Sequence, residues 1–525
     1  MSDAQRGRRS LGRRAVVAAL AVCGSLLSLP TANAHAEDVV GSYIVQSPAG
    51  VASALTSVGA VANRSLPLVS GAVADLTALQ LAALQQVPTV SVVPNLPITM
   101  NTSDGTVQHA PSAVFPQVTG ATGLTGVSGV GIGVGILDTG IAPLPDFAGR
   151  LVGGVDLSGE GNPYLDSFGH GTFVAGLAAG NGASSAGQYA GEAPGANLVA
   201  IKVSGASGLT DMGTVIEGIA WAVDHRLAYN LRVLNLSLGA PQTLSASINP
   251  LDQAVEAAWN AGITVVTTAG NSGNVSGSIT SPGDDPLVLT VGATDDLATV
   301  SKSDDGAPWF SGAGPTLLDG LWKPDLVASG RSVVSLRVPG STLDVAHPSA
   351  RVGSANFVGS GTSFSSAITS GAVAMLLQTN PLLTPSQVKA RLLYSAAPGP
   401  TGNPFVDGHG QLDVYAAATA PAVNLLQTPA VSGLLPWATA SSAAAWSQST
   451  WNRLNWIVPL GAPAPATTQA SADRGTGGTG AAGWNGTAWN GTAWNGTAWN
   501  GTAWNGTAWN GTAWNGTAWN GTAWT

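Results

Sequence analysis

Four short motifs made largely of small residues constrain what this chain can become. In order they are Asp138-Thr139-Gly140, His170-Gly171-Thr172, Ala269-Gly270-Asn271 and Gly361-Thr362-Ser363. Each lies at the edge of a run suited to regular structure. Ile132 to Leu137 reads as a buried parallel strand delivering Asp138 at its carboxyl end, and Ile263 to Thr268 as another leading to Asn271. Phe173 to Ala179 after His170, and Ala367 to Gln378 after Ser363, have the composition of buried helices. The small neighbours let a backbone or a ligand come close to each polar group.

These four groups match the needs of nucleophilic catalysis by serine. The hydroxyl is a poor nucleophile at neutral pH, so an imidazole must take its proton and a buried carboxylate must hold that imidazole in the right tautomer. His170 and Asp138 suit these roles. The oxyanion needs preorganised donors, here the Asn271 side-chain amide and the Ser363 backbone N–H at a helix N-terminus. Each motif alone has a plainer reading: Asp-Thr-Gly as a turn, His-Gly-Thr as a helix start, Gly-Thr-Ser as a loop and cap. Their joint order on matching elements selects the catalytic reading.

Strands near 132–137, 197–203, 231–236, 262–268 and 286–291 alternate with helices near 169–179, 211–228, 250–261, 362–378 and 384–396. That alternation predicts an α/β fold, a mostly parallel sheet with helices on both faces, over residues 123–420. Residues 37–101 have their own α+β pattern: strands near 42–45, 69–75 and 90–93, with helices near 51–58 and 77–86. Residues 102–122 read as a loose, polar junction.

Composition narrows the setting. Only 9% of residues are charged and the formal net charge is −9, so no basic field exists to recruit nucleic acid. Basic residues cluster at the start instead, where Arg6 to Arg14 precede the apolar run Ala15 to Leu29; residues 1–36 read as a secretory signal peptide and the protein as secreted. A membrane anchor is the alternative, but the run is short and stops at Pro30. The single cysteine, Cys23, lies in that run, so the mature chain has no disulfide.

Residues 421–482 form an Ala/Pro-rich linker with Trp446, Trp451 and Trp456 at intervals of five, and residues 483–525 carry eight Trp-Asn-Gly-Thr-Ala units. A tryptophan every fifth residue follows neither a helix face nor a strand face. Three readings stay open: an adhesive of indoles for cell-wall polymer or another surface ligand, a stacked coil, and unconstrained expansion.

At the four motifs the chain resembles the subtilisin-like (subtilase) serine peptidases, over about residues 40 to 420. Asn235-Leu236-Ser237-Leu238-Gly239 resembles the family's substrate-binding strand, Lys323-Pro324-Asp325-Leu326-Val327-Ala328 its approach to the serine region, and Gly408-His409-Gly410-Gln411-Leu412-Asp413 its closing motif. The resemblance implies an autoprocessed endopeptidase acting on protein and peptide substrates. It implies that residues 37–101 are a propeptide, an intramolecular inhibitor and folding aid. It also implies substrate contacts at Ser237, Leu238, Gly239, Ala269 and Gly270, no cofactor for catalysis, and a structural calcium for which Asp146 is the best-placed ligand. The chain departs from the family pattern in having Phe364-Ser365-Ser366-Ala367 without proline after the serine. A subtilase fold without activity, adhering through its tryptophan tail, is the alternative from another class.

Overall fold

The computed structural model describes residues 39–100 and 110–420; the signal, linker and tryptophan-repeat readings fall outside these residues. The N-terminal unit contains β1 (Val39–Gln46), α1 (Val51–Ser57), β2 (Arg64–Leu66), β3 (Gly71–Thr77), α2 (Ala78–Gln85) and β4 (Ser91–Pro94), followed by β5 (Pro97–Met100). The larger body begins with α3 (Phe115–Val118), β6 (Gly133–Asp138), β7 (Leu151–Asp156), α4 (His170–Ala179), β8 (Asn197–Lys202), β9 (Leu209–Asp211) and α5 (Met212–His225). It continues with β10 (Leu231–Leu236), β11 (Leu238–Gly239), α6 (Pro250–Asn260), β12 (Thr264–Thr268), β13 (Leu289–Thr294), β14 (Leu326–Ser329) and β15 (Val333–Leu336). Last come α7 (Thr342–Ala346), β16 (Arg351–Val352), β17 (Asn356–Gly359), α8 (Thr362–Thr379), α9 (Pro385–Ser395), α10 (Pro404–Asp407) and α11 (Val414–Thr419).

All six residues of β6 are buried, as a strand covered on both faces must be. It lies inside a seven-stranded sheet of order β14-β13-β12-β10-β6-β8-β7, parallel throughout. Neighbouring strand residues feed opposite cores. Val134, Ile136, Leu198 and Ala200 pack with α4, α8, α9 and α11, whereas Leu137, Val199 and Ile201 pack with α5 and α6. This is the expected two-faced α/β sheet. The chain builds β7 and β8 on one side of β6 before crossing to β10 on the other. The crevice outside the carboxyl ends of β6 and β10 is therefore the topological switch point, where ligands bind in open α/β sheets.

Helix α8 is buried from Thr362 to Leu377, which its small residues permit. Its hydroxyls are answered internally: Ser365 donates to the Ala328 carbonyl at 2.9 Å, Thr369 to the Ser365 carbonyl at 2.8 Å and Ser370 to Asn235 Oδ1 at 2.9 Å. At Gly371 an added Cβ would lie 2.6 Å from the Ala178 carbonyl of α4. Only glycine lets these helices approach so closely.

The N-terminal unit is an antiparallel sheet of order β2-β3-β1-β4. Period-two alternation gives it two apolar faces. Val45, Ala72 and Ala74 pack with Leu55 of α1 and Leu84 of α2, while Ile44, Leu66, Val73 and Val93 join the core of α5 and α6. Residues 110–122 differ from the loose reading. They hold α3, with Phe115 and Val118 buried, and Ser112 bonds the backbone of Ser332 and Val334. Buried Phe115, Val118 and Ala121, together with the Ser112 backbone bonds, pin this stretch.

Candidate active site

Asp138 ends β6 and His170 opens α4, and both side chains are fully buried. His170 Nδ1 lies 2.8 and 2.9 Å from the two Asp138 carboxylate oxygens, and the Thr139 N–H donates to Oδ1 at 2.8 Å. The glycines of both motifs have a steric cause. Gly140 adopts a φ of 111°, and a Cβ on Gly171 would lie 2.2 Å from the Gly140 carbonyl oxygen. The turn after Asp138 and the start of the His170 helix are in backbone contact.

Asp166, which sequence reasoning missed, holds this junction. It accepts from the Gly169 and Thr172 amides, both at 2.7 Å, and from Thr139 Oγ1 at 2.8 Å, so it satisfies the start of α4 and ties it to the acid's turn. Burial pushes its carboxyl above the ordinary range, with those hydrogen bonds opposing. An acid shortly before a helix start was the available signal.

Ser363 lies in the first turn of α8, and its Oγ donates to the Ser237 carbonyl at 3.2 Å. His170 Nε2 is buried without a hydrogen-bond partner, and its ring centre lies 5.9 Å from that of Phe364, the residue after the serine. Hydrogen bonds between catalytic groups often tighten only when substrate binds. Asn271 follows β12. Its Oδ1 accepts from the Thr362 amide at 2.9 Å and from Thr362 Oγ1 at 2.8 Å. Two donors on Oδ1 orient the amide, and the Nδ2 group is buried with no partner. A preorganised donor beside the Ser363 hydroxyl would have this form.

The resemblance-derived wall residues divide by role. The Ser237 side chain supports the helix, donating to the Ser363 carbonyl at 2.9 Å and lying 3.0 Å from Ser366 Oγ. Leu238 and Gly239 instead form β11, which pairs antiparallel with β5: Leu238 with Met100 and Gly239 with Thr99. On its other edge β5 pairs with β9, Ile98 opposite Thr210 and Thr99 opposite Leu209. The second wall, β9, was missed, since three residues carry no readable period. Ala269 and Gly270 lie beside Thr280, whose amide donates to the Ala269 carbonyl at 3.2 Å.

Other sequence candidates lie elsewhere. Asp325 pairs with Lys323 at 2.7 Å and Lys389 at 2.8 Å, and its carbonyl accepts from the His409 amide. Burial would raise the Asp325 carboxyl, but the two lysines outweigh it and hold it low. The two further motifs thus meet in one buried ion cluster with an architectural role. His225 stacks on Trp221, ring centres 4.1 Å apart. Asp146 accepts from Ser184, and Arg150 donates to its carbonyl. Among the described residues no group of three His, Cys, Asp or Glu side chains could hold a metal.

Comparison with known proteins agrees with this geometry. The Subtilase family profile (Peptidase S8) matches residues 129–410. The chain is 42% identical over 296 residues to the serine protease AprX of Bacillus subtilis (strain 168), covering 55% of this chain and 66% of that protein. It is 36% identical over 296 residues to subtilisin DY of Bacillus licheniformis, covering 56% and 93%. Among solved structures, fervidolysin from Fervidobacterium pennivorans, described as a keratinolytic enzyme related to subtilisin, shares the fold with a TM-score of 0.55 at 22% identity, over 73% of this chain and 61% of that one. The chain belongs to the subtilase family of subtilisin-like serine endopeptidases.

Proposed function

We propose that Ser363 is the nucleophile, His170 the general base and acid, and Asp138 the group that orients His170, with Asn271 Nδ2 and the Ser363 amide as oxyanion donors. Ser363 Oγ attacks the peptide carbonyl while His170 Nε2 takes its proton, then returns it to the leaving nitrogen; water reverses the sequence on the acyl-enzyme. Asp138 fixes the tautomer with the proton on Nδ1 and stabilises the imidazolium that forms. The observation that carries the reading is the buried His170–Asp138 pair with its outer nitrogen unspent. Every step uses groups of the chain itself.

We further propose that residues 37–101 are a propeptide and the protein a secreted zymogen, exported by residues 1–36. Strand β5 supports this. It lies between β9 and β11 as a peptide substrate would, and runs toward the serine whose Oγ bonds Ser237. Self-cleavage then falls just after Met100, where β5 ends. Ser363→Ala should abolish activity and accumulate a precursor that keeps residues 37–101. N-terminal sequencing of both secreted forms decides: a wild-type start before residue 90, or a processed Ser363→Ala protein in a host lacking other proteases, contradicts the reading.

A further inference from the structure

A pocket lies against the ring of His170, and apart from His170 itself it is lined by none of the residues singled out above for catalysis or substrate contact except Phe364, which follows the serine. Its volume is about 50 Å³, several times the roughly 10–15 Å³ one water needs. Phe173, Leu336, Leu343, Phe357 and Phe364 wall it. Charged Arg337 and Asp344 also border it, but they spend their charges on each other. Arg337 donates to both Asp344 oxygens and Arg351 adds a contact at 2.7 Å. The Arg337 guanidinium holds the Asp344 carboxyl well below its usual range. The space therefore offers an apolar surface.

Its place follows from the chemistry. Strand β5 lies between β9 and β11 and ends beside Ser237, whose carbonyl accepts from Ser363 Oγ, and neither flanking strand lines the pocket. The leaving nitrogen must receive its proton from His170 Nε2, so the residue after the broken bond lies against the His170 ring. Resting on the function proposed above, we propose that this pocket receives that residue's side chain and selects substrates with a large apolar residue, of leucine or phenylalanine type, directly after the scissile bond. The wall is held in place. Thr342 and Leu343 of α7 donate backbone hydrogen bonds to the Ser167 and Phe168 carbonyls, both at 3.0 Å, just ahead of His170. Gly359 keeps the pocket open, because a Cβ there would lie 2.7 Å from Phe364 Cε2 and drive that ring inward.

Acyl transfer reads this pocket directly. The processed enzyme is acylated with a peptide methyl ester, releasing methanol, and amino-acid amides compete with water for the acyl group. The amine attacks the acyl carbonyl and gives its proton to His170; the ester bond to Ser363 Oγ breaks and Oγ takes that proton back. Leucinamide and phenylalaninamide should be captured about 10-fold or more over glycinamide, as burial of several methylene groups allows. Aspartic acid α-amide should fall below glycinamide. Gly359→Ala should bring leucinamide and phenylalaninamide toward glycinamide, whereas Leu343→Ala, at a partly exposed position, should shift preference from leucinamide toward phenylalaninamide. Equal capture of all amides by the wild-type enzyme, or preference for the aspartyl amide, overturns the proposal while leaving the catalytic assignment standing. Failure to turn over the ester overturns both.

Discussion

The two helical faces of the central sheet are covered in different ways. On one side α4 and α8 pack through glycine and small hydroxylic residues, with the hydroxyls named on α8 answered within the helix or by the sheet beneath it. On the other, α5 and α6 are covered by the N-terminal sheet. Apolar residues such as Ile44 and Val73 are ringed there by long polar contacts: Gln46 to Gln253 at 2.6 Å, and Arg64 to Thr214 at 2.6 Å, Asp211 at 3.2 Å and Glu217 at 3.2 Å. The first face is built as protein interior and the second as an association surface, with an apolar centre and a polar rim. On the function proposed above, a permanent layer and a removable one thus flank one sheet. Strand β5 joins the N-terminal layer to β11, beside Ser237.

The largest effect should come from forcing the permanent face apart. Gly371→Val sets side-chain carbon where the Ala178 carbonyl stands, and should lower stability by about 3 kcal/mol or more, read as a drop in urea midpoint. A midpoint within error of wild type would remove the claim that this face tolerates no adjustment.

Next is the donor above the crevice. Asn271→Ala should leave folding intact and lower kcat on the order of 100-fold, because Nδ2 is a preorganised hydrogen-bond donor. Unchanged kcat would exclude the amide from oxyanion stabilisation and leave its bonds to Thr362 as its only role.

The permanent face also contains a buried carboxyl whose polarity is only half satisfied. Glu192 is buried, with Thr119 donating to one oxygen at 2.6 Å and the other without a partner. Burial pushes its carboxyl up to about 8 from 4.5, against the opposing Thr119 hydrogen bond. The folded protein therefore keeps a proton that the unfolded chain loses near pH 4.5. Stability falls as pH rises from there and levels off above about 8. Glu192→Gln cannot ionise, so its Tm should match wild type near pH 4 and exceed it by a few degrees at pH 9. Parallel curves across that range would contradict the assignment.

The smallest effect belongs to the polar rim of the removable face. Arg64→Ala should weaken inhibition by the separately added N-terminal unit only a few-fold, since its ion pairs are partly exposed, and mainly at low salt. A loss beyond about 100-fold would mean that the rim, and not Ile44 and its neighbours, carries the docking.

Much of the permanent face was legible. Residues 132–137 and 262–268 are largely apolar or β-branched runs, and Thr384 with Gln387 forms the capping box that starts α9, with Pro385 as its first residue. The four motifs were readable because each polar group is flanked by residues whose smallness has a local steric cause, as at Gly140 and Gly171. What stayed hidden is non-local. Strands β5, β9 and β11 have four, three and two residues, and exist only through pairing across more than a hundred positions. Asp166 looks like a loop acid until the turn at Thr139 is brought against it. The pocket wall from Leu336 to Gly359 has a five-residue helix and short strands, with no period to read.

The most direct test is to map the site modified by a serine-directed fluorophosphonate on the secreted protein. The account predicts a single adduct on Ser363 in molecules that have lost the segment ending near Met100, and none in His170→Ala. An adduct on another residue, or equal labelling of the unprocessed chain, would contradict it.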